Sequence, residues 1–227
     1  MNTVFLLADV SALENGDLYE ALFRQLPAAR QEKVLRYRFP KDRFLSVGAG
    51  TLLREALRRA GLEETPEISV GIHGKPFFAG RPELHFNLSH SGTVAACVLS
   101  PYEAGCDVEQ RRGEARQAAE RFLNPDERLW LDTARDGEER ERMFFRLWTL
   151  KESFMKVTGR GFSLELKDFS VIPGPDGALL RQDADPRSFV FKEYGTVPGY
   201  ALSLCLAAAA AEDLPPEPER VELAALR

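Results

Sequence analysis

The sequence is poor in the features that define several protein classes. Its only cysteines, Cys97, Cys106 and Cys205, are odd in number and lack C-x-x-C spacing, which predicts reduced thiols in a core instead of a disulfide framework. The three histidines also lack the spacing of paired ligands, which disfavours a zinc site. Lys and Arg are dispersed and the net charge is −5, so the basic stripe of a duplex-binding protein is missing. We therefore expect no nucleic-acid partner.

Long apolar runs are missing as well. The first apolar run, Val4 to Ala8, is short and follows no basic residue, whereas a secretory signal has a basic start and a longer apolar region. No run approaches the roughly 20 apolar residues of a membrane-spanning helix. We expect a cytoplasmic protein without a membrane partner. What is present, 227 residues with 44% hydrophobic and 29% charged, suits one large globular domain or two small ones.

Hydrophobic periodicity in the first part of the chain predicts a strand at 2–10 and helices at 13–26 and 47–62. Between these helices, residues 30–43 are basic and aromatic. Pro40 interrupts that segment and predicts a turn between two helices. Three interpretations of the basic side chains stay open: a solvated helical face, a partner surface or a phosphate contact.

The later part of the chain predicts mostly short elements. Residues 94–99 and 105–109 predict a hairpin, and charged residues 125–142 predict two helical pieces divided by Gly137. Short strands are predicted after residue 168, ending with a strand at 200–206. The tail from Ala207, with its PPEPE segment, is predicted to be a solvated extension.

Residues 144–164 combine two stripes of side chains on one predicted helix. One stripe has apolar residues at spacings of four and three, the period of a helix face in a core: Met143, Leu147, Leu150, Phe154 and Val157. The other stripe has Trp148, Glu152 and Lys156 at spacing four, roughly on the opposite side. A solvated face with a Glu–Lys pair would explain the charges, but the large aromatic favours the wall of a ligand cleft.

Glycines follow this helix. Gly159 and Gly161 predict its end, because glycine is common just past the last helical turn. Phe162, Leu164 and Leu166 alternate with polar residues, so we expect a strand or an extended segment after the glycines.

Asp107 and Glu109 lie two residues apart in a predicted strand, so their carboxylates point to one face. Two carboxylates next to an apolar face are costly to leave unpaired. Arg111 and Arg112 are possible partners. The alternative is a hard divalent cation, because Mg²⁺ typically binds one or two carboxylates together with phosphates and water.

Two polar segments precede this strand. GIHGKP at 71–76 predicts a rigid turn that carries Lys75, either as an ordinary loop residue or as a phosphate contact. NLSHSG at 87–92 gathers Ser89 and His90 where a strand ends. A serine hydrolase is disfavoured because the G-x-S-x-G elbow is absent and a serine next to a histidine in sequence is poorly placed for activation. A capping or core role for His90 stays open.

Four motifs together resemble those of the 4′-phosphopantetheinyl transferases of the surfactin-synthetase-activating type. They are GKP at 74–76, NLSHSG at 87–92, GCDVE at 105–109 and LWTLKESFMKVTGRG at 147–161. The resemblance implies an enzyme that transfers phosphopantetheine from coenzyme A to a serine of an apo acyl or peptidyl carrier protein, releasing 3′,5′-ADP. Nonribosomal peptide or polyketide biosynthesis would be its setting.

The resemblance also implies an α+β fold. It would be a monomer of two pseudo-symmetric α/β halves, each a small antiparallel sheet packed on a long helix. We place the halves at 1–103, with nucleotide contacts, and 104–206, with the metal site and catalytic helix. Residues 207–227 would form the C-terminal extension.

By the same resemblance, Asp107, Glu109 and Glu152 would bind Mg²⁺, or Mn²⁺, together with the coenzyme A pyrophosphate. Asp107, Glu152 and Lys156 would be catalytic, and Lys156 would neutralise charge on the leaving phosphate. Glu152 is also a candidate general base, although a carboxylate that shares its charge with a metal ion is a weakened base. The identity of the base stays open.

Nucleotide contacts are implied for Lys75, Ser89, His90 and Lys156, and for an arginine at the 3′-phosphate. The gapless register places Leu45 where relatives commonly have that arginine. Arg43, two positions earlier, is the substitute that we expect. Two further arginines are rivals if the helix is shifted: Arg36 and Arg38.

For the carrier protein we expect docking beside residues 111–125, where basic and apolar side chains alternate. They are Arg111, Arg112, Arg116, Ala118, Arg121 and Phe122. A different class of function is a catalytically idle carrier- or nucleotide-binding protein of the same fold, which the full set of three carboxylates and a lysine argues against. A phosphotransferase that uses a nucleoside triphosphate is disfavoured because no G-x-x-x-x-G-K-[ST] loop occurs.

Overall fold

The computed structural model describes residues 1–62, 64–112, 120–175, 177–208 and 210–227. The strands are β1 (Val4–Asp9), β2 (Ile68–Val70), β3 (Pro76–Phe78), β4 (His85–Ser91), β5 (Val94–Ser100), β6 (Ala104–Gln110), β7 (Ser170–Gly174), β8 (Gly177–Arg181), β9 (Val190–Glu193), β10 (Tyr200–Leu206) and β11 (Glu219–Arg220). The α-helices are α1 (Gly16–Arg24), α2 (Ala28–Arg36), α3 (Pro40–Arg59), α4 (Pro125–Leu131) and α5 (Gly137–Thr158).

Two sheets form the frame of the molecule, and the expected α+β architecture is confirmed. The first has the order β11-β1-β5-β4 and the second the order β6-β10-β9. The longest described helices, α3 and α5, lie against the first and the second sheet, respectively. The first sheet is not wholly antiparallel, because β11 pairs in parallel with β1. The boundary that we place at 103/104 stays a prediction.

Strands β1 and β5 are buried on both faces, which explains their nearly continuous apolar sequence. Leu6 and Cys97 lie on the face that packs against α3. Phe5 and Val98 lie on the opposite face, in an apolar cluster shared with β6 and β10 of the second sheet. The two sheets are therefore joined by a core.

Helix α5 confirms the predicted apolar stripe. Leu147, Leu150, Phe154 and Val157 are fully buried. Gly105 lets the helix lie directly against β6, since an added Cβ would come within 2.1 Å of the Ser153 carbonyl oxygen. The helix ends as expected at Gly159, whose φ of +65° suits glycine.

Three local predictions are corrected. Strands β5 and β6 are not a hairpin: β5 pairs with β1 and β4, whereas β6 pairs with β10, because the short connection crosses from one sheet to the other. The third helix begins at Pro40 and not at residue 47, since proline suits the first helical position; residues 41–43 had been grouped with the basic segment before it. The segment after α5 forms a 3₁₀ turn at Gly161–Ser163 instead of a strand.

The tail is not a solvated extension. Val221 and Leu223 lie in the core beneath α3, and Ala208 and Leu214 lie in the core between the sheets. Apolar residues spaced among the prolines and acids of this segment account for the difference.

The three cysteines are free and buried, as expected. Among the described residues, no helix is both long and apolar enough to cross a membrane.

Candidate functional site

A cavity of about 330 Å³ lies between the turn before β3, strand β4 and the C-terminal part of α5. Its lining includes residues 73–76, Asn87, Glu152 and Lys156. Three segments that are far apart in the sequence therefore meet at one cavity. They belong to three of the four motifs.

Lys156 is the central cation of this region. Its ammonium donates to Asp107 Oδ1 at 2.6 Å, to Ser89 Oγ at 3.1 Å and to the Cys106 carbonyl at 3.1 Å. Burial by itself would lower the pKa of Lys156, but Asp107, Cys106 and Glu152 together outweigh burial and raise it. The side chain is therefore held as a cation.

Asp107 is buried and incompletely satisfied. Its Oδ1 accepts hydrogen bonds from Lys156 and from the Ser89 hydroxyl, at 2.6 and 2.9 Å, whereas its Oδ2 is buried without a partner. An unpartnered buried carboxylate oxygen is unusual in a folded protein and requires an explanation. A ligand that binds this oxygen would supply one.

Glu109 and Glu152 complete an acidic group. Burial, followed by the charge of Asp107, raises the pKa of Glu109 to about 7 and also raises that of Glu152. Each carboxylate thus lacks enough positive charge nearby. Oxygen donors of this kind fit Mg²⁺. Within the described part of the chain, however, no three His, Cys, Asp or Glu side chains are arranged to hold a metal ion as they stand. The metal assignment of Asp107, Glu109 and Glu152 stays a prediction.

Lys75 lies on a turn, as predicted, and Gly74 before it has φ +89°. Its ammonium pairs with Glu103 and donates to the Val157 carbonyl at 3.0 Å. The ammonium is thus directed at the end of α5, while the residue lines the cavity. The implied nucleotide contact of Lys75 stays a prediction.

The pKa of His90 is influenced by two basic residues, Arg30 and Lys33, that sequence reasoning did not connect with it. Burial lowers the pKa of His90, and the charges of Lys156, Arg30 and Lys33 lower it further. Arg30 is anchored by hydrogen bonds to the Ser46 carbonyl at 3.1 and 3.3 Å. Positive charge of this kind favours the binding of an anion, and the basic segment 30–43 was the signal in the sequence.

The arginines considered for the 3′-phosphate have other surroundings. Arg43 donates through Nε to the Tyr37 carbonyl at 2.9 Å, and Leu45 is buried in the first core. Arg36 is mostly exposed, and Arg38 lies over the Phe39 ring at 5.3 Å. Arg30 and Lys33 are therefore further candidates beside Arg43, which stays a prediction.

Two further expectations concern the surroundings of the site. Trp148 stacks on Phe144 at 5.9 Å and does not belong to the described cavity lining, so its interpretation as a cleft wall is wrong; it lies two helical turns from Lys156. The predicted docking segment 111–125 includes residues 113–119, with Arg116 and Ala118, which lie outside the described residues.

Comparison with known proteins agrees with this arrangement. The model of the 4′-phosphopantetheinyl transferase superfamily matches residues 103–205, which include Asp107, Glu109, Glu152 and Lys156. The 4′-phosphopantetheinyl transferase Sfp of Bacillus subtilis is 33% identical over 181 residues, covering 78% of this chain and 80% of the relative. The chain belongs to the 4′-phosphopantetheinyl transferase superfamily.

Other relatives have the same activity in their names. The transferase psf-1 of Bacillus pumilus is 34% identical, over 72% of this chain and 73% of the relative. A holo-(acyl-carrier-protein) synthase from Bacillus anthracis in complex with CoA (3′,5′-ADP) is 16% identical, with a TM-score of 0.40, over 46% of this chain and 94% of that chain. On the family model and the relatives that are more than 30% identical, the present protein is an enzyme that transfers phosphopantetheine to carrier proteins.

Proposed function

We propose that this transferase takes phosphopantetheine from coenzyme A, attaches it to a serine of an apo carrier domain, requires Mg²⁺ and releases 3′,5′-ADP. The observation that carries the proposal is the pairing of Lys156 with a half-satisfied Asp107 beside a cavity that Glu152 also lines. A cation next to incompletely paired carboxylates suits a pyrophosphate and a divalent ion that bind together.

The 3′-phosphate of the nucleotide would bind near His90. Arg30 and Lys33 add positive charge there, and Arg30 is already ordered by its bonds to the Ser46 carbonyl. Ordering before binding reduces the entropy lost when the anion arrives. Arg43 is retained as the alternative contact, and residues 73–76 would line the remainder of the nucleotide.

In the reaction, the carrier serine oxygen would attack the β-phosphorus of coenzyme A. A new phosphorus–oxygen bond forms, the bond to the bridging oxygen breaks, and 3′,5′-ADP leaves with the electron pair. Lys156 would stabilise the charge that develops on the leaving phosphate. The serine proton would pass to a general base, for which Glu152 is a candidate because it lines the cavity. As a ligand that shares its charge with the cation it would be a weakened base, so the base is not assigned to one residue.

Asp107, Glu109 and Glu152 would hold the divalent cation. When bound, Mg²⁺ would neutralise charge on the pyrophosphate oxygens and orient them. Because the three carboxylates do not form a ready cluster, we expect the protein to bind the ion weakly by itself and more tightly with coenzyme A.

Carrier docking is proposed beside residues 111–125, where Arg121 stacks on the exposed Phe122 at 4.9 Å. An Arg116→Glu, Arg121→Glu variant should raise the Michaelis constant for an acidic carrier domain and lower the association rate. An unchanged constant would remove this docking proposal. We further propose a cytoplasmic monomer.

The deciding experiment combines the purified protein with coenzyme A, Mg²⁺ and an apo carrier domain. Intact mass spectrometry should show the phosphopantetheine increment on the carrier, and chromatography should show an equal amount of 3′,5′-ADP. A carrier whose acceptor serine is replaced by alanine is the matched control, and chelation of the metal should stop the reaction. A carrier that stays unmodified would contradict the proposal.

A further inference from the structure

Strands β4 and β6 lie at facing edges of the two different sheets, and side chains join them. Edge strands present backbone N–H groups that need acceptors. Alternate N–H groups of β6 donate to alternate side chains of β4. The pairs are Cys106 with Asn87 Oδ1 at 3.0 Å, Val108 with Ser89 Oγ at 3.2 Å and Gln110 with Ser91 Oγ at 3.1 Å. Each pair is 19 residues apart, so the strands run in the same direction in constant register.

The two serines of this ladder have a second function. The Ser89 hydroxyl donates to Asp107 Oδ1 at 2.9 Å, and the Ser91 hydroxyl donates to Glu109 Oε2 at 2.8 Å. A hydroxyl has one proton to donate and can accept as well. Each serine hydroxyl therefore accepts a hydrogen bond from one backbone N–H of β6. It donates a hydrogen bond to the acidic side chain of the residue that precedes this N–H in the strand.

The motifs NLSHS and GCDVE thus correspond position by position. Ser89 faces Asp107, Ser91 faces Glu109, and Asn87 faces Gly105, which has no side chain to hold. At that position, an added Cβ would meet the backbone of α5. The glycine admits the helix that carries Glu152, and the serines orient the two acids of β6.

The hydroxyls occupy one oxygen of each acid, Oδ1 of Asp107 and Oε2 of Glu109. They thereby determine the direction of the other oxygen, and for Asp107 that second oxygen has no partner. Ser89 also accepts from Lys156, so its replacement would disturb several groups at once. Ser91 has no comparable contact with Lys156, which makes it the cleaner member of the pair.

We propose that Ser91 is a positioning residue that orients Glu109 toward the divalent cation and keeps β6 in register with β4. The inference rests on the proposed metal role of Glu109. Groups that orient metal ligands by hydrogen bonds typically change metal affinity or activity about 10–100-fold when they are removed.

The test measures metal binding directly. Mn²⁺ is titrated calorimetrically into the coenzyme A-loaded protein without a carrier. Ser91→Ala should weaken Mn²⁺ binding about 10-fold or more, with coenzyme A affinity in chelator unchanged. In transfer assays, the Mg²⁺ concentration for half-maximal rate should rise while the rate at saturating Mg²⁺ is largely recovered. Ser91→Thr, which keeps the hydroxyl, should restore wild-type binding.

Ser170→Ala is the matched control. Ser170 also lies on a strand and donates to a carboxylate, Asp126 Oδ2, at 2.7 Å, outside the cavity. This variant should lose stability and keep its Mn²⁺ affinity. If Ser91→Ala loses stability to the same extent and also binds Mn²⁺ like the wild type, the role of Ser91 is structural and the inference is wrong.

A double variant separates the inference from the proposed function. Adding Ser91→Ala to Glu109→Gln should weaken Mn²⁺ binding no further if Ser91 acts through Glu109, whereas additive losses would overturn the inference. If the wild-type protein with coenzyme A binds no Mn²⁺ at all, the proposed metal role itself fails. If only the Ser91 variant is unaffected, the metal role stands.

Discussion

Helix α5 carries two lysines, five residues apart, that pair with carboxylates in different ways. Lys151 and Glu127 are both fully buried, with a 2.6 Å hydrogen bond between them. Both members have further hydrogen bonds: Lys151 also donates to the Phe169 carbonyl at 2.9 Å, and Glu127 accepts from the backbone of Asn124 and Val171. This pair is closed.

The second pair is open. Lys156 donates to Asp107 over the same 2.6 Å, but the Lys156 side chain is 27% exposed and lines the cavity, and Asp107 Oδ2 has no partner. A closed buried pair ties the helix to α4 and β7. The open pair leaves a carboxylate oxygen without a hydrogen-bond partner, and a ligand can bind there. The comparison indicates that completeness of hydrogen bonding, more than the distance within the pair, distinguishes the closed pair from the one that we propose to bind a ligand.

The largest expected effect comes from removing acids at the open site. Asp107→Ala and Glu152→Ala should each lower the transfer rate at least about 100-fold, the loss typical when one group that stabilises transition-state charge is removed. Folding should be largely retained, since the Lys156 side chain is partly exposed and water can solvate its charge when a carboxylate is removed. Transfer is measured by carrier mass increment and folding by circular dichroism. Substantial turnover by either variant would contradict the metal assignment.

Removing one member of the closed pair should instead reduce stability. Glu127→Ala leaves the Lys151 charge buried without a carboxylate, and such a change lowers the free energy of unfolding by about 3–5 kcal/mol. Denaturant unfolding measures the loss. At a temperature where the variant is folded, its kcat should stay close to that of the wild type.

A double variant sharpens this point. Glu127→Leu combined with Lys151→Met should regain part of the stability lost by Glu127→Ala, because it removes the unpaired buried charge but leaves the Asn124 and Val171 N–H groups without their acceptor. If the double variant is as unstable as Glu127→Ala, the unpaired charge is not the main cause of the loss. If it is stable but inactive, the closed pair also serves catalysis.

The smallest predicted effect is a pH dependence of stability at the open site. The pKa of Glu109 is raised from 4.5 to about 7, first by burial and then by Asp107. Between these values the folded protein keeps a proton that the unfolded chain has released. The contribution of Glu109 to stability is therefore present at low pH and falls as the pH rises through this range.

Glu109→Gln removes that dependence. In chelator, its melting temperature relative to the wild type should be higher at pH 8 than at pH 5. An equal difference in melting temperature at both pH values would show that ionisation of Glu109 does not destabilise the folded protein. At the closed pair, Glu127→Gln should lower the melting temperature at both pH values.

Prediction from the sequence succeeded where the deciding contacts are local. The apolar stripe of α5, its glycine end and the turn at Gly74 depend on helical period and on backbone freedom. It failed where distant segments compete for a partner. Residues 94–110 looked like a hairpin, but both strands have other partners, and the acidic, proline-containing tail hid Val221 and Leu223, which insert beneath α3.

The site divides in the same way. The motifs identified the acids and Lys156, because their residue types and spacing are visible in the chain. The positions of Arg30 and Lys33 near His90 and the contact of Ser91 with Glu109 were not visible. These contacts depend on how α2 lies against α3 and on how β4 faces β6.

The sequence by itself determined the secondary structure of helix α5, the chemical groups of the candidate site and the family. Those properties follow from side-chain period and from residue identity. Only the tertiary structure decided which lysine belongs to the closed pair and which to the open pair. It also decided which serine hydroxyl donates to which acid. Such pairings join residues 18 or more positions apart, so they depend on the relative placement of two sheets and a helix, which no local pattern encodes.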